Sequence, residues 1–188
     1  MDELRKSGIK FDIGKLHVGD FTWIARPKSA IGPSDKDIIL NCILERKRMD
    51  DFCSSIIDGR YKEQKFRLKK CGITKQIYLI EEHGSMKHMS LPEKSLVQAN
   101  VNTQIIDHLI VHHTTDPKDT AHYLIALTNY ITRTYRGVTI NACSKAHLDA
   151  FNKANKLNEL TMDYFMTLLE FNNFSNKNLR PSGPAFLN

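Results

Sequence analysis

Asp20, Glu45, Lys47, Asp50 and Asp51 are the residues of this chain whose types and spacing best suit chemistry. Glu45 and Lys47 are separated by one residue, so in an extended strand both project from the same face. Asp50 and Asp51 follow where an apolar run gives way to a helical pattern, within reach of the same cleft. Carboxylates gathered in this way repel one another unless a cation lies among them. Their hard oxygens suit Mg²⁺, with Mn²⁺ as a substitute, and such an ion keeps waters and takes phosphate oxygens to complete its shell. An ion held by Asp20, Glu45, Asp50 and Asp51 would acidify a bound water and neutralise charge during displacement at phosphorus. Lys47 would orient or help deprotonate that water, or stabilise the developing charge. The chemistry to expect is metal-dependent phosphodiester hydrolysis. The competing reading makes Asp50 and Asp51 ordinary first-turn helix acids and Glu45 with Arg46 a surface ion pair. Against it, Glu45 ends an apolar strand, where an unneeded charge is expensive.

The elements around these residues can be read from periodicity. Leu16 to Ala25 alternates and is rich in aromatic and β-branched residues, which predicts a strand with Phe21, Trp23 and Ala25 on one face. Asp37 to Lys47 predicts a mostly buried strand. If the two pair as a hairpin turning at Gly32 and Pro33, Asp20 falls opposite Glu45. A helix follows to Gly59, then a very basic one from Arg60 to Lys70. Gln76 to Glu82 predicts a short strand, and Ser90 with Glu93 has capping-box spacing for a helix to about Asn102. Ile105 to Val111 predicts another strand, and Asp116 before Pro117 the start of the longest helix, ending near Gly137. Strands alternating with helices imply an α/β domain, a central mixed sheet flanked by helices, over residues 1–138. Residues 139–188 read as a poorly defined linker and helical extension, with one helix over Leu157 to Phe171 and a loosely packed tail from Asn176.

The chain has 188 residues, enough for one ordinary domain, and a formal charge of +6 that suits a polyanionic partner. Arg60, Lys62, Lys65, Arg67, Lys69 and Lys70 load the second helix with bases, and Arg46 and Arg48 flank Lys47. Together they form a candidate DNA-binding set that would track phosphates and set salt dependence; an ordinary solvated helix face is the alternative for that helix. No apolar run is long enough for a membrane helix, and the first residues do not make a secretion signal, so an intracellular chain is expected. Cys42, Cys53, Cys71 and Cys143 make no Cys-x-x-Cys pair and read as reduced structural thiols. His108, His112 and His113 have no ligand partners at metal spacing and read as structural or surface residues.

Across Lys15–Phe21 (KLHVGDF), Glu45–Asp51 (ERKRMDD), Ser54–Tyr61 (SSIIDGRY), Tyr78–Gly84 (YLIEEHG) and Asn102–Asp107 (NTQIID), the chain resembles the XPF/MUS family of structure-specific nucleases, and within it the catalytic MUS-type subunits. The resemblance spans about Leu4 to Arg136. It implies a restriction-endonuclease-like fold, Mg²⁺ dependence and incision of branched DNA such as 3′ flaps, forks and nicked junctions in repair and recombination. It also implies a nuclear location and a heterodimer with a noncatalytic Eme-type subunit. Carried over position by position, it gives metal binding to Asp20, Glu45, Asp50 and Asp51, and the catalytic lysine role to Lys47. Family members open the domain with a further strand bearing another acidic ligand, which has no counterpart before Asp2, and follow it with helix-hairpin-helix repeats not recognisable after Gly137. The expectation is therefore a truncated nuclease domain, with a catalytically inactive DNA-binding or dimerisation form as the alternative.

Overall fold

Alternating aromatic and β-branched residues build the first strand, β1 (Phe21–Ala25), which pairs antiparallel with the long β2 (Ile38–Arg48) in the computed structural model. The structure describes residues 2–29, 33, 37–82 and 90–137. The helix expected over Leu157 to Phe171, the tail from Asn176 and Cys143 lie outside them. A short helix α1 (Asp2–Lys6) precedes β1. After β2 come α2 (Met49–Ile57), α3 (Arg60–Lys70) and β3 (Lys75–Glu81). Then α4 (Glu93–Val101) runs into a π-helical turn (Asn102–Ile106), followed by β4 (Ile110–Thr114) and α5 (Pro117–Thr134).

The sheet order is β1-β2-β3-β4, with β2, β3 and β4 parallel, so the mixed sheet expected from the sequence is formed. Each face carries its own apolar cluster. Ile39, Ile43, Tyr78 and Ile80 pack with Phe52, Tyr61, Leu68 and Leu96 from α2, α3 and α4. Leu40, Leu44, Ile77 and Leu79 pack with Leu124, Leu127 and Ile131 from α5. Phe21, Trp23 and Ala25 lean on this second cluster, as their shared face requires, and the Trp23 indole donates to Thr128 Oγ1 at 2.8 Å. Asp116 caps α5 by accepting from the backbone N–H groups of Lys118 and Asp119, 2.7 and 2.9 Å away.

Some expectations need correction. The first strand begins at Phe21 rather than Leu16, because Gly19 takes a left-handed φ of 70° that breaks the extended run. The Ser90–Glu93 capping box does not form: Pro92 is the N-cap residue of α4, without a side-chain cap. Ile105 and Ile106 belong to the π-helical turn and are exposed, and the strand expected from Ile105 starts only at Ile110. A short apolar run does not distinguish strand from helix by periodicity, and here the break comes after it, at His108, with φ 58°.

Gly19 matters for more than termination. A Cβ there would meet Ile43 Cγ1 at 2.7 Å and the Leu44 carbonyl oxygen at 3.2 Å. Glycine therefore lets the loop lie against β2, so that the Asp20 N–H donates to the Leu44 carbonyl at 2.8 Å. Gly19→Ala is expected to cost about 1–3 kcal/mol through the positive φ and the clash, read as a lower denaturation midpoint.

Candidate active site

Phe21 lies opposite Leu44 and Thr22 opposite Ile43, so Asp20 falls at the level of Glu45 where the hairpin approaches α2. This is the juxtaposition the sequence implies. A bulge between Thr22 and Ile24 shifts the register farther along, where Ile24 faces Ile39, without disturbing this end. Asp20 Oδ2 accepts from the Arg46 backbone N–H at 2.8 Å, which fixes the carboxylate across the strand gap. Glu45 is buried, and Lys47 Nζ sits 3.5 Å from its Oε1, both side chains being only 12% exposed. Burial first, and the Asp20 charge second, push the Glu45 carboxyl up to about 7, while Lys47 and Arg67 pull the other way.

Two acids in this state invite a cation. Asp20 and Glu45 supply hard oxygens at one point and fit a divalent ion of the Mg²⁺ type as the start of a ligand set. Asp50 and Asp51 do not join them: Asp50 lies in the first turn of α2 beside Arg48 Nη2 at 3.3 Å, and both are exposed. Among the described residues, no three His, Cys, Asp or Glu side chains are grouped to hold a metal. The expected cluster of carboxylates around Lys47 is thus realised only as Asp20 and Glu45.

The burial of Glu45, with the Asp20 charge beside it, should appear in the pH dependence of stability. Its folded value lies above the ordinary 4.5, so the folded chain binds more protons than the unfolded one between about 4.5 and 7. Its contribution is fully present below the lower value and is lost as pH rises through the upper. The metal-free chain should lose up to about 3 kcal/mol across this window, and Glu45→Gln should flatten the slope in melts from pH 4 to 8.

The basic residues divide. Lys62 and Lys69 are exposed on α3, Lys69 reaching Asp107 at 3.3 Å. Arg60 pairs with Asp58 at 2.6 Å, and Arg67 reaches both Glu63 and the His17 carbonyl. Lys70 lies over the Phe66 ring. Lys65 does not fit the DNA-facing set: it is buried, 2.5 Å from Asp107 Oδ2 and 3.9 Å from the Tyr61 ring centroid. Burial pushes the Asp107 carboxyl up, but hydrogen bonds and charge from Lys65 and Lys69 outweigh it and leave it lowered. Arg48 is exposed, whereas the Arg46 guanidinium makes a bidentate pair with Glu81 at 2.9 and 2.5 Å.

That last pair escapes a reading of the sequence by motif. Glu81 is fully buried and also accepts from Thr120 Oγ1 at 2.8 Å, tying β2 and β3 to α5. The signal was available: if Glu45 and Lys47 share one face, Arg46 must point to the other. His112 stacks on Tyr123 with ring centroids 3.8 Å apart, and His113 pairs with Glu82 at 2.7 Å. Cys42, Cys53 and Cys71 are reduced and buried, and burial pushes the Cys42 thiol up to about 11. A cavity of about 130 Å³ lined by His17, Val18, Gly19, Glu45, Gln64 and Arg67 opens beside the carboxylates.

Residues 1–127 match the ERCC4 domain. "Structure-specific endonuclease subunit MUS81" of Homo sapiens is 49% identical over 141 residues, covering 74% of this chain and 26% of the human protein. The Danio rerio protein of the same name is 43% identical over 180 residues, covering 92% of this chain and 30% of its own length. The chain therefore spans under a third of the length of these curated relatives. Among solved structures, "XPF from Aeropyrum pernix" superposes with a TM-score of 0.55 at 25% identity, covering 72% of this chain and 60% of that one. The mixed sheet with flanking helices is thus the restriction-endonuclease-like α/β fold of that nuclease. Its hairpin holds Asp20 beside Glu45, and through the domain matched over residues 1–127 the chain belongs to the ERCC4 domain family.

Proposed function

We propose that this chain carries the nuclease domain of the catalytic subunit of a structure-specific DNA endonuclease, hydrolysing phosphodiester bonds at 3′ flaps, replication forks and nicked junctions in repair and recombination. The observation that carries the reading is the pairing of Asp20 with a buried Glu45 across the hairpin, with Lys47 against Glu45, in a chain of the ERCC4 domain family. Asp20 and Glu45 would hold Mg²⁺ or Mn²⁺, with Asp50 and Asp51 approaching from α2 when substrate is present. When bound, the ion supplies charge neutralisation at phosphorus and acidifies a water. Lys47 stabilises the charge that develops on the phosphoryl oxygens and helps orient the attacking water. Lys62, Arg60, Arg67, Lys69, Lys70 and Arg48 line the approach and contact phosphates, setting affinity rather than sequence choice.

The partner in this reading is a noncatalytic Eme-type subunit, and the location is the nucleus. Exposed Val97, Val101, Ile105 and Ile106, along α4 and the π-helical turn, support a docked subunit. No described helix is long and apolar enough to cross a membrane.

Incubation of the purified chain, alone and with an Eme-type subunit, with a labelled 3′-flap duplex tests this. Cutting in Mg²⁺ that stops in EDTA is expected. Salt-sensitive binding with no cutting in Mg²⁺ or Mn²⁺ would overturn the reading in favour of an inactive binding form.

A further inference from the structure

Tyr78 carries a hydroxyl that the fold leaves unsatisfied. Its ring is fully buried between Phe52 and Tyr61, with centroids 6.1 and 6.0 Å away, so its position is fixed by packing. The Tyr61 hydroxyl in the same cluster donates to the Ala99 carbonyl at 2.7 Å and also meets Thr103. The Tyr78 hydroxyl is buried with no hydrogen-bond partner among the described residues. A buried hydroxyl without a partner is costly, and phenylalanine would fill the same space without that cost.

The acceptor it lacks is close by. Glu45 and Tyr78 are register partners in the parallel β2–β3 pair. Alternation places Glu45 on the face of Ile43, the face to which Tyr78 also contributes its ring. Glu45 in turn has one hydrogen bond among the described residues, the 3.5 Å contact from Lys47 to Oε1. A phenol keeps its proton at ordinary pH, so toward a carboxylate the Tyr78 hydroxyl can only donate.

We propose that Tyr78 is a positioning residue for the active site: its hydroxyl donates to the Glu45 oxygen that Lys47 leaves unengaged and so orients the other oxygen toward a bound divalent cation. The proposal rests on the metal-dependent reading above. It assigns a role to a residue outside the acid and lysine motif, acting through a ligand as outer hydrogen-bond partners of metal sites do.

The test uses Tyr78→Phe in the purified chain, with Tyr61→Phe as a control that removes a satisfied hydroxyl from the same aromatic cluster. Calorimetric titration with Mn²⁺ should show about tenfold weaker binding for Tyr78→Phe, with a melting temperature no lower than native. The Mn²⁺ concentration for half-maximal flap cleavage should rise by the same factor, while duplex affinity in EDTA stays unchanged. Tyr61→Phe should melt earlier and keep native Mn²⁺ affinity. In the native chain, the ¹³C-labelled tyrosine resonance that Tyr78→Phe removes should shift on addition of Mg²⁺. Native Mn²⁺ affinity in Tyr78→Phe, equal weakening in both variants, or a Tyr78 resonance unmoved by Mg²⁺ would overturn the proposal. If the native chain itself binds no Mn²⁺, the metal-dependent reading fails with it.

Discussion

Lys47→Met and Asp20→Asn chains should bind a flap duplex as tightly as the native chain and cut it at least about 10²- to 10³-fold more slowly. Lys47 is held by Glu45 at the C-terminal end of β2, only 12% exposed, so its charge acts in a poorly screened setting. Methionine keeps the apolar stem against the core and removes only the ammonium. Asparagine at Asp20 can still accept from the Arg46 N–H, so the hairpin end should survive while the anionic oxygens are lost. Single-turnover cleavage beside filter binding in EDTA separates the two effects. A parallel fall in binding would place these residues in substrate recognition instead.

Arg46→Met should remove about 3–5 kcal/mol of stability, a large fraction of the roughly 5–15 kcal/mol that a domain possesses. Glu81 is fully buried, so removing the guanidinium takes a bidentate ion-pair partner away from a charge that water cannot reach. The double variant Arg46→Met, Glu81→Met should recover most of the loss, because an apolar pair of similar volume replaces an ion pair that one substitution had broken. Urea midpoints of the single and double variants give the coupling directly. Were Arg46 instead a DNA contact, the single variant would keep its midpoint and show a shallower salt dependence of DNA affinity.

The local features of this domain were readable where chemistry and periodicity agree. An apolar run located β2, the break at Gly59 and the basic run after it located α3, the Asp116 cap located α5, and hairpin geometry alone set Asp20 against Glu45. Features that depend on distant pairing were not readable. Lys65 looks like any other base of α3 until Asp107, 42 positions on, is folded against it. Glu81 looks like a strand-end acid until the parallel register of β2 and β3 and the arrival of Thr120 bury it. Asp50 and Asp51 sit near Lys47 in sequence, but the turn into α2 directs Asp50 to Arg48 and leaves both exposed.

Calorimetric titration of the chain with Mn²⁺ at pH 8, native beside Asp20→Asn and Glu45→Gln, tests whether Asp20 and Glu45 together hold a divalent ion. Saturable binding by the native chain is expected, abolished by both substitutions and weakening as the pH falls below about 7, where Glu45 takes up a proton. Equal Mn²⁺ binding by all three chains, or none by the native chain, would contradict it.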